Sequence, residues 1–145
     1  MSRMPPASLG LVTTDADIVA CFDAFHALRP HLERGSFLER VKLQQRQGYQ
    51  ILAVKEGEIF PAAAGFRFGN FLAWGHVLYI DDLTTIPGDR HRGHATRLLG
   101  WLIGHARERG CDAVHLDTGY SRHDAHRLYL KLGFVMTGHH MAMAL

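Results

Sequence analysis

Apolar residues recur at helical spacing in four stretches of the chain. Thr14 or Asp15 would cap the first predicted helix, DIVACFDAFHAL, and Ser36 would cap the second, FLERVKLQQRQ. The third predicted helix follows Gly93, and the fourth, RHDAHRLYLKL, should end at Gly133. The third has the most regular apolar face, formed by Ala95, Leu98, Leu99, Leu102 and Ala106.

Stretches rich in β-branched and aromatic residues between these helices predict the strands. They are SLGLVT, the two halves of a hairpin around KEGE, His76–Ile86, Asp112–Tyr120 and two terminal strands in FVMTGHHMAMAL. The predicted order, β-α-α-β-β-β-α-β-α-β-β, indicates an α/β fold with a mixed sheet. Because the region 76–120 is a β-α-β unit, its two strands should be parallel neighbours.

Length and composition favour one globular domain over residues 1–145. The 145 residues are 47% apolar and 21% charged, which is ordinary for a soluble protein. No apolar run approaches the length that spans a bilayer, and the start MSRMPPASLG lacks the apolar core of a signal peptide, so we expect a cytoplasmic protein without a membrane partner. Cys21 and Cys111 are expected to be reduced thiols.

Basic residues are concentrated where the third helix begins. Arg90, His91 and Arg92 precede Gly93 in PGDRHRGHATRLL. A helix N-terminus leaves backbone N–H groups unpaired and carries partial positive charge, so this segment predicts a site for a diphosphate. A solvated basic helix start would have the same sequence. The common glycine-rich nucleotide motifs are absent, and the net charge of +2 is too small to indicate nucleic acid.

Two motifs in this chain resemble signatures of the GCN5-related N-acetyltransferase (GNAT) family. Arg90, Gly93 and Ala95 fit the family's Arg/Gln-x-x-Gly-x-Gly/Ala pattern, which binds acetyl-coenzyme A (acetyl-CoA). A second pattern, Ala-x-x-x-Tyr-x-x-x-Gly-Phe, matches AHRLYLKLGF, which ends at Phe134. The chain departs from the family at Arg122, where an asparagine often stands. The resemblance covers essentially the whole chain and implies the family's fold.

The resemblance also implies where acetyl-CoA, the expected cosubstrate, would bind. The thioester arm would lie along the strand that ends in DLTTI and bond to its backbone, and the diphosphate would lie at the start of the following helix. The implied binding residues are Leu83, Thr84, Thr85, Arg90, His91, Arg92, Gly93, His94, Ala95 and Thr96.

Tyr129 and the pair Asp81–Asp82 are the candidate catalytic residues. Tyr129 occupies the family's usual general-acid position, although a packing role in the helix would produce the same pattern. Strand alternation would place Asp81 and Asp82 on opposite faces, and adjacent carboxylates in a strand are costly without partners. The pair resembles one in diamine and polyamine acetyltransferases. One carboxylate could accept the ammonium proton, directly or through water, or could bind the ammonium group, and we favour Asp81; a surface pair is the alternative.

Other chemistry receives less support from the sequence. Neither cysteine is well placed for an acetyl-enzyme, so direct attack in a ternary complex is favoured. His123 and His126 are three residues apart, but His139 and His140 would point to opposite faces, and no metal is expected. RHDAHRLYLKLGF resembles aminoalkylphosphonate N-acetyltransferases. The segment HALRPHLERGSF lies where the family builds its acceptor wall; it could complement an anionic acceptor or be a solvated loop.

The sequence therefore predicts an acetyl-CoA-dependent N-acetyltransferase that acts on a primary amine of a small molecule. Acetylation of a protein or peptide is one alternative, and a non-catalytic acyl-CoA-binding regulatory module is another. Nucleic-acid binding is disfavoured because exposed aromatics are not interleaved with the arginines. The identity of the acceptor, and the choice between monomer and homodimer, are left open.

Overall fold

The computed structural model describes residues 7–119 and 123–145 of the chain. They form two compact units, divided between His115 and Leu116. The helices and strands are β1 Ser8–Val12, α1 Asp15–Ala20, α2 Phe22–Leu28, α3 Arg34–Gln45, β2 Gln50–Glu56, β3 Ile59–Phe71, β4 Gly75–Thr85, α4 His94–Glu108, β5 Ala113–Leu116 and α5 His123–Lys131, with a short 3-10 turn at Pro87–Asp89.

The strands form one five-stranded mixed sheet in the order β1-β2-β3-β4-β5, which confirms the predicted fold class. The β1–β2, β2–β3 and β3–β4 pairs are antiparallel. The predicted hairpin around KEGE is present. β4 and β5, which flank α4 in the sequence, are neighbours in the sheet, as predicted. In the described part of the chain, no helix is long and apolar enough to cross a membrane.

Several predicted elements differ in the structure. The first predicted helix is two short helices, α1 and α2, which meet at Cys21. Thr14 caps α1 through Asp17 N–H, as predicted, but α3 begins at Arg34, before the expected cap Ser36. The two terminal strands are absent from residues 134–145. Apart from the half-buried Phe134, the large apolar side chains there are exposed, and burial of one face is what selects strand pairing.

The first unit has apolar side chains on both faces of its sheet. On one face, helices α1 to α3 pack their aromatic residues, including Phe22, Phe25 and Phe37, against β2 and β3. On the other face, α4 buries the leucines of its apolar stripe, as its spacing predicted. Phe66 of β3 is fully buried there against Trp101. The sheet is therefore anchored on both sides, which fixes the positions of its strand ends.

A β-bulge interrupts the pairing of β3 with β4. Gly65 pairs with Asp82 and Phe66 with Ile80, so Asp81 is an extra residue on β4. Tyr49 crosses β3 at this point: a Cβ on Gly65 would lie 1.7 Å from the Tyr49 hydroxyl oxygen. Only glycine leaves room for the tyrosine ring beside the bulge.

We predict that Gly65→Ala is destabilising by about 1–3 kcal/mol, because a buried, hydrogen-bonded tyrosine ring cannot move aside at low cost. Chemical denaturation would measure the change. In a Tyr49→Ala background the same substitution should lower the free energy of unfolding by much less. Gly10→Ala is the matched control, since a Cβ at that strand position meets no atom within 4 Å. Equal costs in both backgrounds would contradict the close contact.

Cys21 should be chemically inert in the folded protein. It is fully buried, and burial, with Asp17 adding to it, raises the pKa of its thiol to about 12. Because the pKa is raised, the neutral thiol stabilises the fold below pH 9.0, and that contribution is lost as the pH rises towards 12. Maleimide labelling at pH 8, followed by mass spectrometry, should modify Cys21 only after unfolding. Rapid labelling of the native protein would contradict this.

Candidate active site

The segment between β4 and α4 has an unusual backbone. His91 has a φ of 67° and Gly93 a φ of 79°, so two residues of this loop lie in the left-handed region. A non-glycine residue there is strained unless its surroundings impose the conformation. Gly93 is the N-cap of α4 and offers no side-chain hydrogen bond, so the first-turn N–H groups of the helix have no cap. Such a helix start suits an anion.

The predicted diphosphate residues are not equivalent in the structure. Arg90, His91, Gly93 and Thr96 are exposed, and Ala95 is half-buried. Arg92 instead pairs with Asp89 and with Glu56 at the end of β2, where its Nη2 lies 3.1 Å from Glu56 Oε1. Arg92 therefore ties the loop to the sheet, and Arg90 is the arginine that the loop leaves in solvent.

His94 differs from the exposed residues of the predicted set, because its side chain is buried. Its Nε2 lies 3.4 Å from Glu56 Oε1, and both side chains are only 6% exposed. Glu56, Asp89 and His94 bring one potential metal ligand each within 4.8 Å of one another. Arg92 already binds both carboxylates of this group, so an ion would have to displace it.

Leu83, Thr84 and Thr85 follow the bulge and end β4. The Thr84 hydroxyl donates to the Ala24 carbonyl oxygen at 2.7 Å, so its side chain is buried against α2. The other two are half-buried. β5 has only four residues and begins beside His76, whose carbonyl oxygen accepts from Asp112 N–H at 2.7 Å. So short a strand can pair only with the first part of β4.

Asp81 and Asp82 both bind arginine. Asp81 makes a bidentate pair with Arg67 of β3, with nitrogen–oxygen distances of 2.7 and 3.1 Å. Asp82 accepts from Arg29, at the end of α2, and from the Tyr49 hydroxyl at 2.7 Å. Both carboxylates are thus compensated by cations or a hydroxyl group.

The expectation that the two carboxylates occupy opposite faces is wrong. The Arg67 guanidinium lies over the Tyr49 ring, 5.3 Å from its centre, so the partners of Asp81 and Asp82 touch each other. Arg29 also reaches the Asp81 carbonyl oxygen at 3.2 Å. The extra residue of the bulge resets the alternation of β4 and directs both carboxylates into one cluster.

Burial changes the proton affinity of this cluster. It raises the pKa of Asp81, and hydrogen bonds from Arg67 only partly offset the effect. Burial also raises the pKa of Tyr49 well above 10.0, and Asp82 raises it further. Tyr49 therefore remains a neutral hydroxyl that donates to Asp82.

A cavity of about 320 Å³ opens beside the cluster. Asp82 and Tyr49 form part of its lining, and Asp81 does not. The predicted acceptor wall, HALRPHLERGSF, contributes Arg29, His31, Leu32 and Phe37, so this segment borders a cavity as expected. The complete lining is Phe25, Arg29, His31, Leu32, Phe37, Arg40, Val41, Gln44, Tyr49 and Asp82.

The second motif lies in the second unit. Tyr129 is on α5, and its ring contacts Phe134 with the ring centres 5.7 Å apart. Gly133 has a φ of 102°, which lets the chain turn so that Phe134 N–H donates to the Tyr129 carbonyl oxygen at 3.0 Å. Tyr129, Gly133 and Phe134 of the motif are therefore close to one another. Arg122 lies outside the described residues.

Sequence reasoning missed Arg29, Tyr49 and Arg67, which surround the two carboxylates. One signal was available: Arg67 is a charged residue in the otherwise apolar strand PAAAGFRF, and a half-buried charge requires a partner. Arg29 and Tyr49 are 53 and 33 residues from Asp82, so only the folded chain reveals their contacts.

The histidines predicted as weak metal candidates are only partly described. His126 Nε2 lies 2.8 Å from the Gly119 carbonyl oxygen, and His140 Nδ1 lies 3.7 Å from Asp117. Nothing is described of the His123 side chain. Among the described residues, the three-ligand group beneath the loop is the one that could accept an ion.

Comparisons with known proteins identify the family of this chain. The model of the acetyltransferase (GNAT) family matches residues 17–134. An uncharacterized N-acetyltransferase of Bacillus subtilis, YhdJ, is 29% identical over 86% of this chain and 89% of its own. An aminoalkylphosphonate N-acetyltransferase of Salmonella typhimurium is 33% identical over 57% of this chain and 54% of its own.

A solved structure matches over the whole length. It is the aminoglycoside N-acetyltransferase AAC(6')-Iy in complex with CoA, which is 14% identical, with a TM-score of 0.81 over 100% of this chain and 98% of that one. At this identity the likeness shows the fold alone. The family match covers most of the chain, and the relatives matched in sequence are N-acetyltransferases. The chain therefore belongs to the acetyltransferase (GNAT) family and is an acetyl-CoA-dependent N-acetyltransferase.

Proposed function

We propose that this enzyme moves the acetyl group of acetyl-CoA to a primary amine of a small molecule, by direct attack in a ternary complex. The observation that carries the proposal is the uncapped start of α4, which is the first α-helix after the strand with the bulged carboxylate pair. A helix start that suits an anion therefore follows, along the chain, a strand whose Asp82 lines a cavity.

In this proposal the diphosphate of the cosubstrate binds the first-turn N–H groups of α4, at His94, Ala95 and Thr96. The exposed Arg90 donates a charge-assisted hydrogen bond to the diphosphate. The thioester arm lies along Leu83–Thr85, where β4 extends beyond the reach of β5. A backbone N–H there polarises the carbonyl oxygen as negative charge develops on it.

The acceptor enters the cavity lined by Asp82. Its volume of about 320 Å³ lies in the range typical of ligand sites, roughly 300–1,000 Å³, and would hold a small amine. The relative from Salmonella typhimurium, named for its action on aminoalkylphosphonates, supports the same size class. A protein or peptide acceptor is the alternative that the assay below would detect.

The reaction forms a carbon–nitrogen bond, breaks a carbon–sulfur bond and needs three proton transfers. The neutral amine attacks the thioester carbonyl carbon, the carbon–sulfur bond breaks, and its electron pair leaves on sulfur. We assign Tyr129 to protonate the departing thiolate, and the proton that the nitrogen loses as the amide forms restores the Tyr129 hydroxyl. Asp82 lines the cavity and is therefore better placed than Asp81 to take the ammonium proton, directly or through water. Asp81, held by Arg67, would position the cluster.

A covalent acetyl-enzyme has no support in this chain. Cys21 is buried as a neutral thiol, and burial raises the pKa of Cys111 as well. Direct attack therefore remains our proposal, and it requires no metal.

The function is tested by thiol release from acetyl-CoA over a panel of small amines and short peptides. We expect turnover with a small amine in the presence of a metal chelator. Tyr129→Phe should lower kcat by about 10²-fold or more, since general acid catalysis contributes about 10²–10⁴-fold. The affinity for acetyl-CoA should change little. Equal losses of kcat and affinity would assign Tyr129 to packing, and turnover with peptides only would reject the small-molecule proposal.

Arg90→Ala should weaken coenzyme A binding by about tenfold, because it removes a charge-assisted hydrogen bond to the diphosphate. Calorimetry would measure this, and a pantetheine analogue without phosphates should bind both proteins alike. Arg107→Ala, which removes an exposed arginine at the other end of α4, is the matched control. A comparable loss with the pantetheine analogue would contradict the proposed diphosphate site.

A further inference from the structure

The cavity beside the bulge carries an excess of positive charge. Its lining includes Arg29, Arg40 and His31, and its one carboxylate is that of Asp82. Glu33 and Glu39, on the same stretch of chain, are exposed and lie outside the lining. An acceptor whose charges are all positive would therefore be repelled by the positive charge of the cavity.

The single carboxylate of the cavity is already bound. Both Nε and Nη2 of Arg29 donate to Asp82 Oδ1, at 3.2 and 3.0 Å, and the Tyr49 hydroxyl donates to Oδ2 at 2.7 Å. Asp81, which could have formed a second acidic contact, is engaged by Arg67. The acidic pair is thus a compensated cluster, which removes the basis for a diamine acceptor held by two free carboxylates.

Arg40 is an exposed arginine of α3 that lines the cavity. Arg29 pairs with Asp82 and Arg34 with Asp23. Among the described residues, no ion pair or hydrogen bond involves the Arg40 side chain, which projects from α3 into the lining. His31, across the same cavity, likewise has no described hydrogen bond. An unpaired guanidinium at a concave surface suits a carboxylate, phosphonate or phosphate group.

We propose that the acceptor amine carries an acidic group, which binds Arg40 and His31 while the amine faces Asp82. This rests on the proposed N-acetyltransferase function and defines its substrate class. The apolar walls at Phe25, Leu32 and Phe37 would contact a short carbon chain between the two ends of the acceptor.

The test compares acceptors of one length that differ only in the second group. With acetyl-CoA saturating, KM is measured for 2-aminoethylphosphonate, β-alanine, propylamine and 1,3-diaminopropane. We expect the acid-bearing amines to have KM values at least about tenfold lower than propylamine or the diamine. Comparison of the phosphonate with the carboxylate then identifies the preferred acid.

Arg40→Gln should raise KM for the acid-bearing acceptor by about tenfold. The ratio of KM for the acid-bearing amine to KM for propylamine should then be close to one. Arg40→Lys should recover part of the preference. Arg46→Gln, at an exposed arginine that follows α3 outside the cavity, should leave the ratio as in the parent enzyme. A lower KM for the diamine, or an unchanged ratio in Arg40→Gln, would overturn the acidic-acceptor proposal while the transferase remains active.

Calorimetry separates this proposal from the proposed reaction. 2-Aminoethylphosphonate and β-alanine are titrated into the enzyme saturated with coenzyme A. Binding that Arg40→Gln weakens, without turnover of any amine, would support the acid site and reject the small-molecule reaction. No binding of either compound, together with no preference in KM, would reject the acid site.

Discussion

The close crossing of Tyr49 over Gly65 is the constraint on which the candidate site depends. A glycine at this position of β3 admits the tyrosine ring, and the ring places its hydroxyl on Asp82. The bulge next to Gly65 inserts Asp81 and brings the neighbouring carboxylate into the same cluster. A side chain at residue 65 would push the ring away and leave a half-buried carboxylate with one partner fewer.

The two ends of β4 have different roles because its neighbours have different lengths. β3 follows β4 over nearly its full length, whereas β5 is short and begins beside His76. The end that β3 alone can support carries Leu83–Thr85 and continues into the basic loop. β4 therefore carries the carboxylate pair and, through the loop that follows it, leads to the start of α4.

The sequence predicted the elements whose signals are local. The spacing of leucines identified α4, the turn KEGE identified the hairpin, and the glycine before His94 identified the helix start. The bulge was missed because strand alternation assumes unbroken pairing, and only the partner strand determines where an extra residue is inserted. The arginines beside the carboxylates were missed because Arg29 and Asp82 are 53 residues apart. The prediction of two terminal strands was wrong because an alternation of apolar and polar residues does not by itself provide a surface for a strand to pack against.

Arg92 has a consequence for the energetics of the proposed cofactor site. Its ion pairs, to Asp89 within the loop and to Glu56 on β2, connect the loop to the sheet. The same loop holds His91 and Gly93 in the left-handed region. A preorganised loop loses little conformational entropy when it binds an anion. Less of the binding free energy is then offset by the ordering of the loop, and the affinity is higher.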